Sequence, residues 1–116
     1  MRGEERLRRQ AQYALVYSEG RSWVNSLVVM KVLPNGLTLS RFGFSVSQRV
    51  GKAVIRNRVK RLLREILRAV TLEPGWDIIF IARPQAANAS YADLNKSVRD
   101  LLLRAGLLKI DEKGCP

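Results

Sequence analysis

The residues in this chain able to do chemistry are mostly cations, and their densest run lies between Gln48 and Arg68. There Arg49, Lys52, Arg56, Arg58, Lys60, Arg61, Arg64 and Arg68 are opposed by a single acid, Glu65. Guanidinium and ammonium groups donate hydrogen bonds and carry charge, so they hold phosphates rather than move protons. The usual residues of side-chain catalysis are missing. The chain has no histidine, and its one cysteine is Cys115 near the C-terminus. That removes the commonest general base, the commonest metal ligand and any internal disulfide, a composition expected of a reducing, cytoplasmic setting. The acids are scattered without the pairing of a two-metal nuclease, and no GxxxxGK[ST] or GxGxxG loop is present. The residues therefore point to a polyanion-binding protein without a complete active site of its own.

At ~100° per residue, Arg56, Asn57, Lys60, Arg61, Arg64 and Arg68 share one broad face of a helix expected over 53–70. Val59, Leu62, Leu63, Ile66, Leu67 and Val70 share another, which a core must cover. Balanced charge runs are solvated faces, but this one lacks its acids and repels itself unless a polyanion covers it. The net charge of +11 on 116 residues agrees. Charge alone leaves RNA, duplex DNA and an anionic membrane surface open; the need for a core on the apolar face speaks against the membrane. No apolar run approaches the ~18 residues of a membrane span.

The elements that must position this helix read in order. A first helix is expected over Arg6–Tyr17, with a stripe of Leu7, Ala11, Ala14 and Leu15 and a stop at Gly20. Tyr13 and Tyr17, four apart, share a face. They either pack on a sheet or offer a stacking surface for unpaired bases. Trp23–Leu33 reads as extended, with Ser22–Asn25 readable as a separate short strand before it. Pro34-Asn35-Gly36 reads as the turn of a hairpin with a partner strand over Leu37–Ser47. In that partner Phe42, Phe44 and Val46 point to a core, whereas Arg41, Gly43, Ser45 and Ser47 make a bare face. A bare face either admits a close neighbour or floors a groove. Trp76–Ala82 reads as a central strand covered on both faces. Ser90 and Asp93 form a capping-box pattern before a last helix carrying Tyr91, Leu94, Val98, Leu101, Leu102 and Ala105. Gly106 ends it, and 107–116 reads as a tail. The chain thus forms one domain, 1–116, an α+β sandwich on a sheet of about four strands. A right-handed crossover is the default for its strand–helix–strand unit.

The block FGFSVSQRVGKAVIRNRVKRLLRE, with Arg56-Asn57-Arg58 followed by Lys60, Arg61 and Arg64, closely resembles the signature of the bacterial ribonuclease P protein family. The likeness continues through the paired aromatics of the first helix, the NGL turn, the SVS strand end, Ala82-Arg83 and the last helix. It implies the ribosomal protein S5 domain 2-like order αβββαβα, with a left-handed βαβ crossover. It also implies a ribonucleoprotein whose catalytic RNA, using Mg2+, removes the 5′ leader of precursor tRNA. No membrane or small-molecule substrate enters that activity. On this resemblance Arg56, Asn57, Arg58, Lys60, Arg61, Arg64 and Arg68 face the RNA subunit and the phosphates near the cleavage site. Tyr13, Tyr17, Lys31, Ser45, Ser47, Arg49 and Lys52 line the cleft for the single-stranded leader. Lys31 departs from the family, standing where many members carry an aromatic. The alternative is a structural or ribosome-associated RNA-binding protein with no part in cleavage.

Overall fold

The strand that the rest of the sheet is built on is Trp76–Ala82 (β5), whose Asp77, Ile78, Ile79 and Phe80 are all buried. A strand apolar on both faces must be covered on both faces, and this one is. The computed structural model describes residues 4–7 and 9–109. Its elements run β1 (Glu4–Arg6), α1 (Gln10–Glu19), β2 (Arg21–Val24), β3 (Val28–Pro34), β4 (Ser40–Ser45), α2 (Ala53–Arg68), β5, a 3₁₀ turn (Pro84–Asn88) and α3 (Tyr91–Ala105). The strands form one mixed sheet in the order β1-β4-β5-β3-β2. The expected α+β sandwich is present, and the short β1 adds a fifth strand at the edge of the expected four.

The expected hairpin between β3 and its successor does not form. β5 lies between them, antiparallel to β3 from Val28↔Ala82 to Pro34↔Trp76 and parallel to β4 from Arg41↔Asp77 to Ser45↔Ile81. The turn residues serve another purpose. The Asn35 side chain accepts from the Leu37 N–H at 2.8 Å and donates to Asp77 at 2.9 Å, tying the bend to β5. The hairpin that does form joins β2 to β3. Its turn is closed by the Asn25 carboxamide oxygen, which accepts from Leu27 and Val28. β4 and β5 are the parallel neighbours that α2 connects, as expected.

One face of the sheet carries α2 and α3. Val59, Leu62, Leu63, Ile66 and Leu67 of α2 and Leu94, Val98, Leu101 and Leu102 of α3 join Val28, Met30, Val32, Phe44, Val46, Ile78 and Phe80 in the main core. The other face carries α1 and a smaller core of Leu7, Val16 and Ile79, with Tyr13, Leu33 and Ile81 packed on it.

The partner strand expected over 37–47 shortens to Ser40–Ser45, the helix expected over 53–70 ends at Arg68, and two terminal boundaries move further. The first helix begins at Gln10 rather than Arg6, because the chain before it is committed to the sheet. The Leu7 N–H donates to the Phe42 carbonyl at 2.7 Å, continuing the β1–β4 ladder, and the Leu7 side chain is buried under α1. The docking face of α1 is accordingly Tyr13 and Val16; the expected Ala11, Ala14 and Leu15 are exposed. At the other terminus, 107–109 is not a loose tail. Leu107 is buried, Leu108 bridges Leu72, and the Glu73 and Lys109 N–H groups close the pairing at 2.8 Å each. Residues 110–116 lie outside the described residues. The last helix starts and stops as expected, with the Ser90–Asp93 capping box and a left-handed Gly106. Tyr91 is its one expected apolar-face residue that stays exposed.

Candidate nucleic-acid interface

α2 exists because its apolar stripe docks on β4 and β5, and that docking decides where each of its cations goes. Asn57, Arg61 and Arg68 are exposed, and Arg56, Arg58, Lys60 and Arg64 are half-buried along its flanks. Among the described residues no ion pair neutralises any cation of α2; the ion pairs found are Arg41–Asp77 and Arg104–Asp100. The helix therefore presents uncompensated positive charge, which attracts a polyanion and whose attraction weakens with salt.

Its cations differ in what they do. The Arg58 guanidinium donates to the Ala89 carbonyl at 2.8 Å and to the Ala87 carbonyl at 3.4 Å, clamping α2 to the segment leading into α3. The Nε of Arg56 is buried and lacks a hydrogen-bond partner among the described residues. Arg61 and Arg68 project freely on the side opposite the core.

On the far face, Tyr13 lies over Gly43. A Cβ at residue 43 would fall on the tyrosine hydroxyl and stand 2.6 Å from its Cζ, so only glycine admits the ring. The bare face of β4 thus admits a close neighbour, the Tyr13 ring. The hydroxyl reaches the Leu7 carbonyl at 3.4 Å. One turn on, Tyr17 is 40% exposed and available to a partner. The sheet register places Gly43, Ile79, Lys31 and Ser22 in one row across this face, with Ser45, Ile81 and Val29 in the next. Lys31 Nζ donates to the Ser22 hydroxyl at 3.0 Å, which holds the cation over the β2 side of the row. Sequence reasoning missed Ser22 and the clamp of Arg58, since both depend on pairings remote in the chain.

The two groups of expected site residues therefore sit on opposite faces of one sheet. Ser47, Arg49 and Lys52, all exposed, occupy the loop that passes from the end of β4 to the start of α2 and so lie between the two surfaces. Within it the Arg49 N–H donates to the Ser47 hydroxyl at 3.3 Å, and the Lys52 carbonyl accepts the first helical bond from Arg56. Among the described residues no three His, Cys, Asp or Glu side chains converge to hold a metal ion, and no helix is long and apolar enough to cross a membrane.

A small α+β domain with an uncompensated cationic helix on one sheet face and Tyr13 and Tyr17 with Lys31 on the other has the features of a nucleic-acid-binding module. Comparison with known proteins gives its family. The family model for ribonuclease P matches residues 1–106. The chain is 48% identical over 114 residues to the ribonuclease P protein component of Dehalococcoides mccartyi strain CBDB1, covering 97% of this chain and 95% of that protein. It is 42% identical over 108 residues to the one from Clostridium kluyveri, covering 90% and 96%. The structure superposes on Staphylococcus aureus RNase P protein with a TM-score of 0.81 at 29% identity, over 90% of this chain and 97% of that one. For the Thermotoga maritima RNase P protein the TM-score is 0.77 at 32% identity, over 85% and 96%. The chain belongs to the ribonuclease P protein family. It is the protein subunit of a ribonucleoprotein endonuclease whose catalysis is borne by RNA, and ribonuclease P RNA is its partner. The ribonucleoprotein needs divalent metal.

Proposed function

We propose that this subunit grips precursor tRNA as well as the catalytic RNA, holding the 5′ leader in the groove between α1 and the sheet. The carrying observation is the row Gly43–Ile79–Lys31, roofed at one end by Tyr13 and flanked by the exposed Tyr17. That groove offers a ring for base stacking and a fixed ammonium for a phosphate, the two contacts that single-stranded RNA takes without regard to sequence. Ser45, Ser47, Arg49 and Lys52 continue it toward α2. Lys31, in a position often aromatic in the family, makes this end of the groove electrostatic rather than stacking.

On the other face Arg56, Asn57, Lys60, Arg61, Arg64 and Arg68 meet the RNA subunit and the phosphates near the cleavage site. Arg58 serves the same surface by fixing the pose of α2. These cations offset the repulsion between two RNAs brought together. Mg2+ is the ion we assign to the RNA-borne hydrolysis, where a divalent cation stabilises charge on attacking and leaving oxygens. The setting is the cytoplasm.

The test is cleavage of 5′-labelled precursor tRNA at near-physiological Mg2+ by protein alone, by a bacterial ribonuclease P RNA alone, and by both. Efficient cleavage by the mixture only, with tighter binding of leader-bearing precursor than of mature tRNA, supports the proposal. Equal binding of the two RNAs overturns the leader groove.

A further inference from the structure

Arg6 occupies a place that its sequence neighbourhood does not announce. It sits on β1 and is the register partner of Phe42, so its side chain shares the face of Phe42 and Phe44. That is the α2 face of the sheet, since Phe44 belongs to the core that α2 closes. The Arg6 guanidinium lies over the Phe44 ring, 5.6 Å from its centroid, while the residue as a whole stays exposed. An aromatic face attracts a guanidinium through its ring quadrupole and restricts the long side chain without consuming its N–H donors. The long side chain is thereby ordered before any ligand arrives.

The position of α2 gives that edge a context. α3 lies over β2 and β3, and α2 lies beside α3, clamped to the 3₁₀ turn by Arg58. Arg56, Lys60 and Arg64 fall roughly half a turn round α2 from Arg58, at ~100° per residue. They therefore line the flank turned away from α3, toward β4 and the β1 edge. Arg6 extends this flank beyond the helix and onto the sheet. The Arg56 Nε, buried without a partner among the described residues, marks the same side as one where cationic side chains are crowded against the fold.

We infer that the β1 edge is a further RNA-binding site, in which Arg6, drawn over the Phe44 ring, grips a backbone phosphate of the RNA subunit that lies along the Arg56–Lys60–Arg64 flank. The inference rests on the reading of α2 as the RNA-facing helix and widens that footprint past it. The ligand class is an RNA phosphodiester, and stacking supplies the order that makes one exposed arginine a contact rather than a solvated charge. β1 thus has a use beyond covering the sheet edge. It carries one cation to the rim of the RNA surface and, one residue later, Leu7 to the core under α1.

The test is the salt dependence of binding between the full-length protein and the catalytic RNA of ribonuclease P. Arg6→Ala, Arg6→Lys and Arg61→Ala are compared with the parent, each shown to be folded by circular dichroism. Each lost phosphate contact lowers the slope of log Kobs against log[salt] by roughly 0.7–0.9. Arg6→Ala is expected to lower the slope by that amount, as Arg61→Ala does, and Arg6→Lys to restore it. If Arg61→Ala lowers the slope and Arg6→Ala leaves it at the parent value, the β1 site is overturned and the α2 reading stands. If neither variant moves the slope, the α2 reading itself fails and takes the β1 site with it. An Arg6→Ala variant that loses affinity with the slope unchanged also overturns the site, since the effect would then be of shape and not of charge.

Discussion

Two arginines three residues apart on α2 have different work. Arg61 is exposed with no partner among the described residues, while Arg58 spends its guanidinium on the Ala87 and Ala89 carbonyls. Arg61→Ala is expected to lower the salt slope of RNA binding by about one, whereas Arg58→Met leaves the slope and lowers the thermal midpoint. Titrations of RNA binding at several salt concentrations, beside thermal melts, separate the two. Arg56 presents the opposite trade. Its Nε is buried without a partner, so Arg56→Met removes an unsatisfied donor. The free protein should gain roughly 1 kcal/mol in urea unfolding while its affinity for RNA falls; a loss of stability would mean that the guanidinium is better satisfied than its Nε implies. The tyrosines also part company. Tyr13 packs on Gly43 and the Leu7 carbonyl, so truncating it disturbs α1. Tyr17→Ala is the cleaner probe. It should weaken leader-bearing precursor relative to mature tRNA by ~1–3 kcal/mol, the worth of one base stack, read as the ratio of the two dissociation constants.

At the scale of elements, α1 is held to the sheet by a small core and by a single permissive position. Gly43→Ala forces its Cβ against the Tyr13 ring. The ring or the helix must move, at a cost of ~1–3 kcal/mol, and the groove beside Tyr17 deforms with it. Urea denaturation should show the loss, and leader discrimination should fall with it while binding to the catalytic RNA through α2 persists. A variant that loses stability but keeps leader discrimination would detach the groove from α1. The same docking explains why the apolar pattern of the first helix does not mark its buried face. The apolar positions Ala11, Ala14 and Leu15 form a plausible stripe, yet the sheet needs a ring over Gly43 and Val16 beside Ile79, and the sheet wins. α2 and α3 were legible because their stripes are strong, and α3 has explicit caps besides in Ser90, Asp93 and Gly106.

Across the whole molecule, the two surfaces proposed to meet RNA are kept in register by the central strands, and one buried pair locks those strands. Arg41 of β4 grips Asp77 of β5 through Nε at 2.8 Å and Nη2 at 2.7 Å, and Asn35 joins from the bend after β3. Asp77 is 4% exposed. Asp77→Ala leaves a largely buried guanidinium without its carboxylate and should cost roughly 3–5 kcal/mol, measured by chemical denaturation. A loss below about 1 kcal/mol would mean that water or another acid replaces it at little cost. That pair was invisible in the chain, where Arg41 read as part of a bare strand face and Asp77 as one acid among many.

By itself the sequence determined the chemistry and the local elements. A cationic helix without balancing acids, the lack of histidine, a strand apolar on both faces at Trp76–Ala82 and the motif around Arg56-Asn57-Arg58 are properties of composition and period. Those act within a few residues, so they can be read along the chain. The tertiary structure alone decided the neighbours. β5 separates β3 from β4 because the doubly apolar strand gains most from the centre of the sheet, and a turn sequence is too weak a signal to oppose that. Pairing at the sheet edge drew Arg6 and Leu7 out of the expected first helix, and a bridge to Leu72 drew Leu107–Lys109 out of the tail, through hydrogen bonds to residues far away in sequence. The division of the basic residues into a clamp, a crowded flank and free contacts was set the same way, by which cations of α2 happen to face a carbonyl, a core or water.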